Sequence, residues 1–175
     1  MRNGLGIIDS DAHLQEPYDI WSEFVEAEFY DRRPIPRDHP NKMMLFYGPC
    51  ELFPEGTYPS PTRPPKTTAH MHDKYGHAWE DYWSAKSRIK DMDTYGWDKM
   101  VLITGNAGVG ILRQEGQDPA LMWALTRAYN NWAHAFASED PSRLKLTVSL
   151  PNQHDIEGIV TEARRGIEQL GAVTT

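Results

Sequence analysis

The stretch Gly6-Ile7-Ile8-Asp9-Ser10-Asp11-Ala12-His13 sets the expectation for the rest of the chain. Two β-branched residues lead into small and acidic residues that end in a histidine. An apolar pair with polar residues gathered behind it predicts a short, fully buried strand whose C-terminal end carries the chemistry. Side chains alternate across a strand, so Asp11 and His13 point to the same side. A carboxylate and an imidazole held that way form half of a site for a divalent metal. The plain alternative is that Asp11 caps the next helix and His13 is a loop residue.

Beyond this strand, Pro17 to Phe29 predicts a short helix, with Ile20, Trp21, Phe24 and Val25 at helical spacing. Pro17 suits a first turn, where a missing N–H costs nothing. Glu16 just before it is either a group beside the metal, facing substrate, or an acid favoured by the helix dipole. Nine of the thirteen prolines then fall between Asp31 and Thr68, which forbids long helices and central strands there. The same interval carries Met43-Met44-Leu45-Phe46-Tyr47, Phe53 and Tyr58, too apolar for a plain linker. We expect an ordered insertion over residues 31–78, on the face where βα loops build active sites. His70-Met71-His72 imitates a metal pair, but no buried strand precedes it, so a solvated loop is expected.

From Trp79 to Tyr95 the pattern is helical and Gly96 closes it in the manner of a C′ glycine. Asp98 to Thr104 follows as a second buried strand. Arg88 and Asp93 are expected to form ion pairs or caps. Gly105-Asn106-Ala107-Gly108-Val109-Gly110 lacks both the phosphate-binding Lys-Ser/Thr and dinucleotide-binding spacing, so it is read as a βα loop over the site. Asn106 on that loop is a candidate substrate contact. Asp118-Pro119 opens the clearest helix, an N-cap aspartate with proline at N1, and His134 on it is expected to be structural. Leu144, Leu146, Val148 and Leu150 alternate through a third strand that stops at Pro151. His154 in the following loop is a further substrate-facing candidate. Asp155 caps a last helix with Ile156, Ile159, Val160, Ala163, Ile167 and Leu170 as its apolar positions, closed by Gly171. Val173-Thr174-Thr175 reads as the first residues of a fourth strand. Strands alternating with helices imply an α/β fold of parallel βαβ units with right-handed crossovers.

Composition removes several classes of function. A formal net charge of -7 argues against a nucleic-acid footprint. The single Cys50 excludes an intrachain disulfide framework and fits a reducing compartment. The N-terminus has no signal-peptide pattern, and the longest apolar run, Met43 to Tyr47, is far too short to span a bilayer. A cytoplasmic protein without membrane or nucleic-acid partners is expected.

Three segments together resemble the amidohydrolase-related family, the branch of the amidohydrolase superfamily that includes aminocarboxymuconate-semialdehyde decarboxylase. They are Ile8-Asp9-Ser10-Asp11-Ala12-His13-Leu14-Gln15-Glu16-Pro17 with Trp21, the unit Arg88 through Thr104, and the unit from Leu150-Pro151 to Leu170-Gly171. The resemblance implies the first three units, and the start of a fourth, of a TIM-type (β/α)8 barrel, as one domain over residues 1–175 interrupted by the insertion. It implies Asp11 and His13 as metal ligands for Zn or Mn, with an aspartate where the commoner pattern has its first histidine. It further implies a hydrolase or a non-oxidative decarboxylase of small, often aromatic, carboxylic acids. A full barrel needs roughly 250 residues, and this chain has 175. In the family the remaining ligands, two histidines and an aspartate, lie on later strands, so no catalytic residue is identifiable here. The inward faces of Ile7, Val101 and Val148 would then await side chains from other strands. A second chain supplying those strands is the expected partner, and a homo-oligomer the lesser expectation. The alternatives are a non-catalytic scaffold subunit built on the half-barrel, and a smaller unrelated α/β domain.

Overall fold

The computed structural model describes residues 4–16, 20–36, 46–47, 77–78, 81, 83–105, 108, 118–151 and 154–175. Three parallel strands, β1 (Ile8–His13), β4 (Lys99–Ile103) and β5 (Leu144–Leu146), form a sheet in the order β1-β4-β5. The last residues continue it: Thr174 bridges Thr147 in parallel, and Val173 N–H donates to Leu146 O at 2.9 Å. The α/β fold and the beginning of a further parallel strand are therefore as expected. Inside the proline-rich interval, β2 (Ile35–Pro36) and β3 (Phe46–Tyr47) pair antiparallel. Phe46 and Tyr47 of the expected ordered insertion thus lie in β3, whereas Phe53 and His70-Met71-His72 lie outside the described residues.

Helices among the described residues include α1 (Ile20–Phe24), α2 (Ala85–Tyr95), α3 (Pro119–Ala137) and α4 (Ile156–Glu168), with a 3₁₀ turn at Ala27–Arg32. Their ends follow capping chemistry. Ser84 accepts from Ser87 N–H at 3.3 Å, Asp118 from Ala120 N–H at 2.9 Å, and Asp155 from Gly158 N–H at 2.9 Å. Each bond satisfies a donor the first turn leaves open. Gly96 ends α2 with φ of 73°, a left-handed conformation that costs little only without a Cβ.

Alternation places Ala12, Leu14, Met100, Leu102, Leu144, Leu146 and Val148 on one face of the sheet. All are buried there against Ile20 and Trp21 of α1, Met92 of α2 and the apolar stripe of α3. The opposite face, with Val101, Ile103, Lys145 and Thr147, stays half-exposed. Parallel sheets are ordinarily covered on both faces. A sheet with helices on one side and a half-open face on the other has the layering of a barrel wall.

Two expectations are corrected. Ile8 is 63% exposed and Ile7 half-buried, because among the described residues β1 pairs with β4 on one side only, and burial falls at Ala12 and at Leu14 just past the strand. Val148, expected on the inward face with Val101, is buried on the helix side. It shares the two-residue period of Leu144 and Leu146, where it meets Gly166 of α4. In α4 itself the sheet-facing residues are Glu162 and Gly166, whereas Ile156, Val160 and Ile167 are exposed. The apolar stripe of α4 lies roughly a quarter turn away from the side that packs.

Candidate metal centre

At the C-terminal end of β1 the Asp11 and His13 side chains lie together, although the β1–β4 register shifts between Asp9 and Ala12. Oδ1 of Asp11 is 3.4 Å from Nε2 of His13. Their side chains are 78% and 59% exposed, so both are open to further ligands and to substrate. The ring is oriented from behind, because its Nδ1 lies 2.9 Å from Thr104 O. A carbonyl only accepts, so Nδ1 carries the proton and donates. When the imidazole is neutral, Nε2 then presents its lone pair toward the Asp11 carboxylate. Two acceptors facing each other at that distance suit a shared cation. Ligands about 2.1 Å from one ion at a tetrahedral angle stand about 3.4 Å apart. The donor set fits a divalent metal, and Asp11 and His13 are the residues that would hold it. Among the described residues no group of three or more His, Cys, Asp or Glu side chains gathers around one point.

The strand end is held by contacts from three separate segments. Arg88 of α2 donates from Nη2 to His13 O at 2.7 Å. Asp93 forms the expected ion pair, with Arg143 at 2.7 Å, whereas Arg88 binds a main-chain carbonyl. Burial depresses the Arg88 pKa, with Asp91 and Asp9 opposing that shift. Leu14 N–H still donates to Ile103 O at 2.8 Å, but Gly105 N–H turns to the Tyr129 hydroxyl at 3.3 Å. In a continued parallel ladder that N–H would donate to Leu14 O. The β1–β4 ladder therefore opens just past Leu14, and side chains complete the bonding.

Glu16, expected to face substrate, is 2% exposed and lies beneath this opening. Its Oε1 accepts from Tyr129 Oη at 2.9 Å and from Gly108 N–H at 3.1 Å. Burial, reinforced by the Glu16 charge, raises the Tyr129 pKa well above the usual tyrosine value. Gly105 permits the arrangement, since a Cβ there would lie 2.0 Å from Leu14 O and 2.6 Å from a Glu16 oxygen. Farther along the strand ends, Thr104 Oγ1 shares a short hydrogen bond with Ser149 Oγ. Asn130 of α3 accepts from Ser149 N–H at 2.8 Å and donates to Ser149 O at 3.0 Å and to Glu162 at 2.7 Å.

His154 is exposed in the turn before α4. Asn106 lies outside the described residues. His77 pairs with Asp91 at 2.8 Å, and His134 is structural as expected, its Nδ1 bonded to Leu170 O at 2.9 Å. A shallow concavity lined by Met92, Asp93, Trp97, Asp98, Ser142 and Arg143 lies at the other end of the strands. Arg143 is committed there to Asp93 and to Trp97 O at 2.9 Å, which makes that end structural. Thr104, Arg88, Tyr129 and Ser149 carried no sequence signal as site residues. Thr104 acts on His13 through a carbonyl that every residue possesses.

No family model matches the sequence, and no curated protein matches it. Solved structures do. An amidohydrolase from Mycobacterium avium subsp. paratuberculosis K-10 superposes with a TM-score of 0.64 at 17% identity, covering 97% of this chain and 48% of that one. A dihydroxybenzoic acid decarboxylase from Polaromonas sp. JS666, with bound manganese and the inhibitor 2-nitroresorcinol, gives 0.51 at 17% identity, covering 97% and 37%. A 2,6-dihydroxybenzoate decarboxylase from Rhizobium gives 0.50 at 16%, again covering 97% and 37%. The chain thus spans less than half the length of these structures. Its fold is that of part of a (β/α)8 barrel.

Proposed function

We propose that Asp11 and His13 are two ligands of a divalent metal in a hydrolase or non-oxidative decarboxylase acting on small, often aromatic, carboxylic acids. The observation that carries this reading is the 3.4 Å approach of Asp11 Oδ1 to a His13 Nε2 whose lone pair is freed by the bond from Nδ1 to Thr104 O. The manganese and the resorcinol inhibitor belong to the Polaromonas enzyme; they support metal and substrate class here by analogy of fold. An aspartate in place of a histidine makes the donor set harder, which favours Mn over Zn. A divalent ion held there would polarise a substrate carboxylate or adjacent oxygen, or lower the pKa of water toward about 7. The chain's own residues orient the imidazole, keep its proton on Nδ1 and close off the buried Glu16–Tyr129 side of the strand end.

The remaining ligands would come from the barrel strands that the matched structures possess beyond the length spanned here. We propose that those strands complete the sheet, with a copy of this chain as the lesser partner. The scaffold alternative requires the same surfaces and no metal. Among the described residues no helix is long and apolar enough to cross a membrane; the single cysteine supports our proposal of a reducing, cytoplasmic location. Titration with Mn²⁺ or Zn²⁺, followed by calorimetry and by Mn²⁺ electron paramagnetic resonance, separates the readings. Binding should be lost in His13→Ala and in Asp11→Ala, with circular dichroism unchanged because both side chains are mostly exposed. Metal uptake that is unaltered by His13→Ala would refute the ligand assignment.

A further inference from the structure

We infer that Arg88 is a positioning residue for the metal ligand, acting with the Thr104 carbonyl to hold His13 in one place and one tautomer. The inference rests on the reading of His13 as a ligand and extends it to a residue that never touches the metal. Three observations meet at this residue. The β1–β4 ladder opens just past Leu14, where Gly105 N–H turns to Tyr129. His13 is the last residue of β1, and the ladder holds its peptide with Leu14 on the N–H side, at Ile103 O, so the carbonyl side is left to a side chain. Arg88 Nη2 ties the main chain at His13 O, 2.7 Å away, while Thr104 O ties the ring at Nδ1, 2.9 Å away. The two anchors lie on opposite sides of the Cα–Cβ bond, so together they fix backbone position and ring rotation.

Arg88 is well placed for this duty. It lies in the first turns of α2, whose start is fixed by the Ser84 cap and whose Met92 is fully buried. The guanidinium therefore projects from a rigid element, and its planar fork loses less freedom per hydrogen bond than an ammonium on a lysine stem. Without it, His13 O would have to find water, and the strand end would move relative to Thr104. The ring would then sample both neutral tautomers, one of which puts a proton on Nε2, where the metal must bind. Partners of this kind commonly change metal affinity ten- to a hundredfold.

The test uses the full chain, with Arg88→Ala and Arg88→Lys beside the unaltered protein. In metal-free protein, long-range ¹H–¹⁵N correlation spectra should show His13 protonated on Nδ1 alone, and Arg88→Ala should show both neutral tautomers. In the Mn²⁺ titration, Arg88→Ala should bind at least tenfold more weakly, and Arg88→Lys should recover part of the loss. Arg88→Met keeps an unbranched stem without the charge and serves if the alanine variant fails to fold. Unchanged tautomer and unchanged affinity in a folded variant lacking the guanidinium would overturn the inference while leaving Asp11 and His13 as ligands. An unaltered protein that takes up no Mn²⁺ at His13 overturns the ligand reading instead, and the positioning of a metal ligand falls with it.

Discussion

Tyr129 shows how a single side chain can hold a strand end open. Its hydroxyl donates to Glu16 and accepts from Gly105 N–H, so it replaces a ladder bond and satisfies a buried carboxylate at once. Tyr129→Phe removes both bonds from a buried site and should cost about 1–3 kcal/mol, read from urea denaturation. The cost should depend on pH with a definite sign. Burial raises the folded-state pKa of Tyr129 well above the usual value, so the native protein keeps a proton that the unfolded chain releases. The stability associated with that proton is fully present below the unfolded pKa, about 10, and is lost as pH rises through the folded value. The gap between the unaltered protein and Tyr129→Phe should therefore narrow above pH about 10. A gap that widens with pH would contradict the assigned protonation state.

Helix α4 shows a contest between local preference and packing. Gly166 lies in its interior, where Ala would ordinarily gain about 1 kcal/mol from helix propensity. A Cβ at Gly166 would meet Val148 Cγ1 at 2.6 Å and Val148 Cβ at 3.1 Å. Valine is stiff at χ1 and cannot swing its methyls aside, so the overpacking cost of about 1–3 kcal/mol prevails. Gly166→Ala should lower the urea midpoint, and Gly166→Ala combined with Val148→Ala should recover part of the loss. A midpoint raised by the single substitution would show that α4 shifts freely on the sheet. The same close approach rotates α4 so that Glu162, bonded to Asn130 and Arg165, faces inward while Ile156, Val160 and Ile167 face out.

On the scale of the whole molecule, apolar side chains are exposed at both margins of the sheet. Leu5 and Ile8 lie at the β1 margin, and Ile156, Val160, Ile167 and Val173 at the other, each between 48% and 71% exposed. These are the margins at which a barrel would continue. Unpaired strand edges and apolar patches of this kind drive association. The 175 residues expressed alone should therefore self-associate in sedimentation velocity, and strands that complete the barrel should restore a soluble species that holds metal more tightly. Ile156→Glu with Val160→Lys adds a favourably ordered i,i+4 pair. It should suppress self-association and equally weaken completion of the barrel. A monomer that unfolds cooperatively and turns over substrate unaided would overturn this expectation.

The sequence by itself determined the features that depend on neighbours within a few residues. The alternation that puts Asp11 beside His13 needs only two residues, and the caps at Asp118, Asp155 and Gly96 need only one helical turn. The order of strands and helices followed from the same local periods. Tertiary structure alone decided what those elements do to one another. Arg88 reaches His13 across 75 residues, His13 reaches Thr104 across 91, and Tyr129 reaches Glu16 across 113. No periodicity encodes such meetings, because they depend on where whole elements pack. Exposure of Ile8 and the quarter-turn of α4 were hidden for the same reason. An apolar residue states its preference for burial, but the neighbours available in the fold decide whether that preference is met.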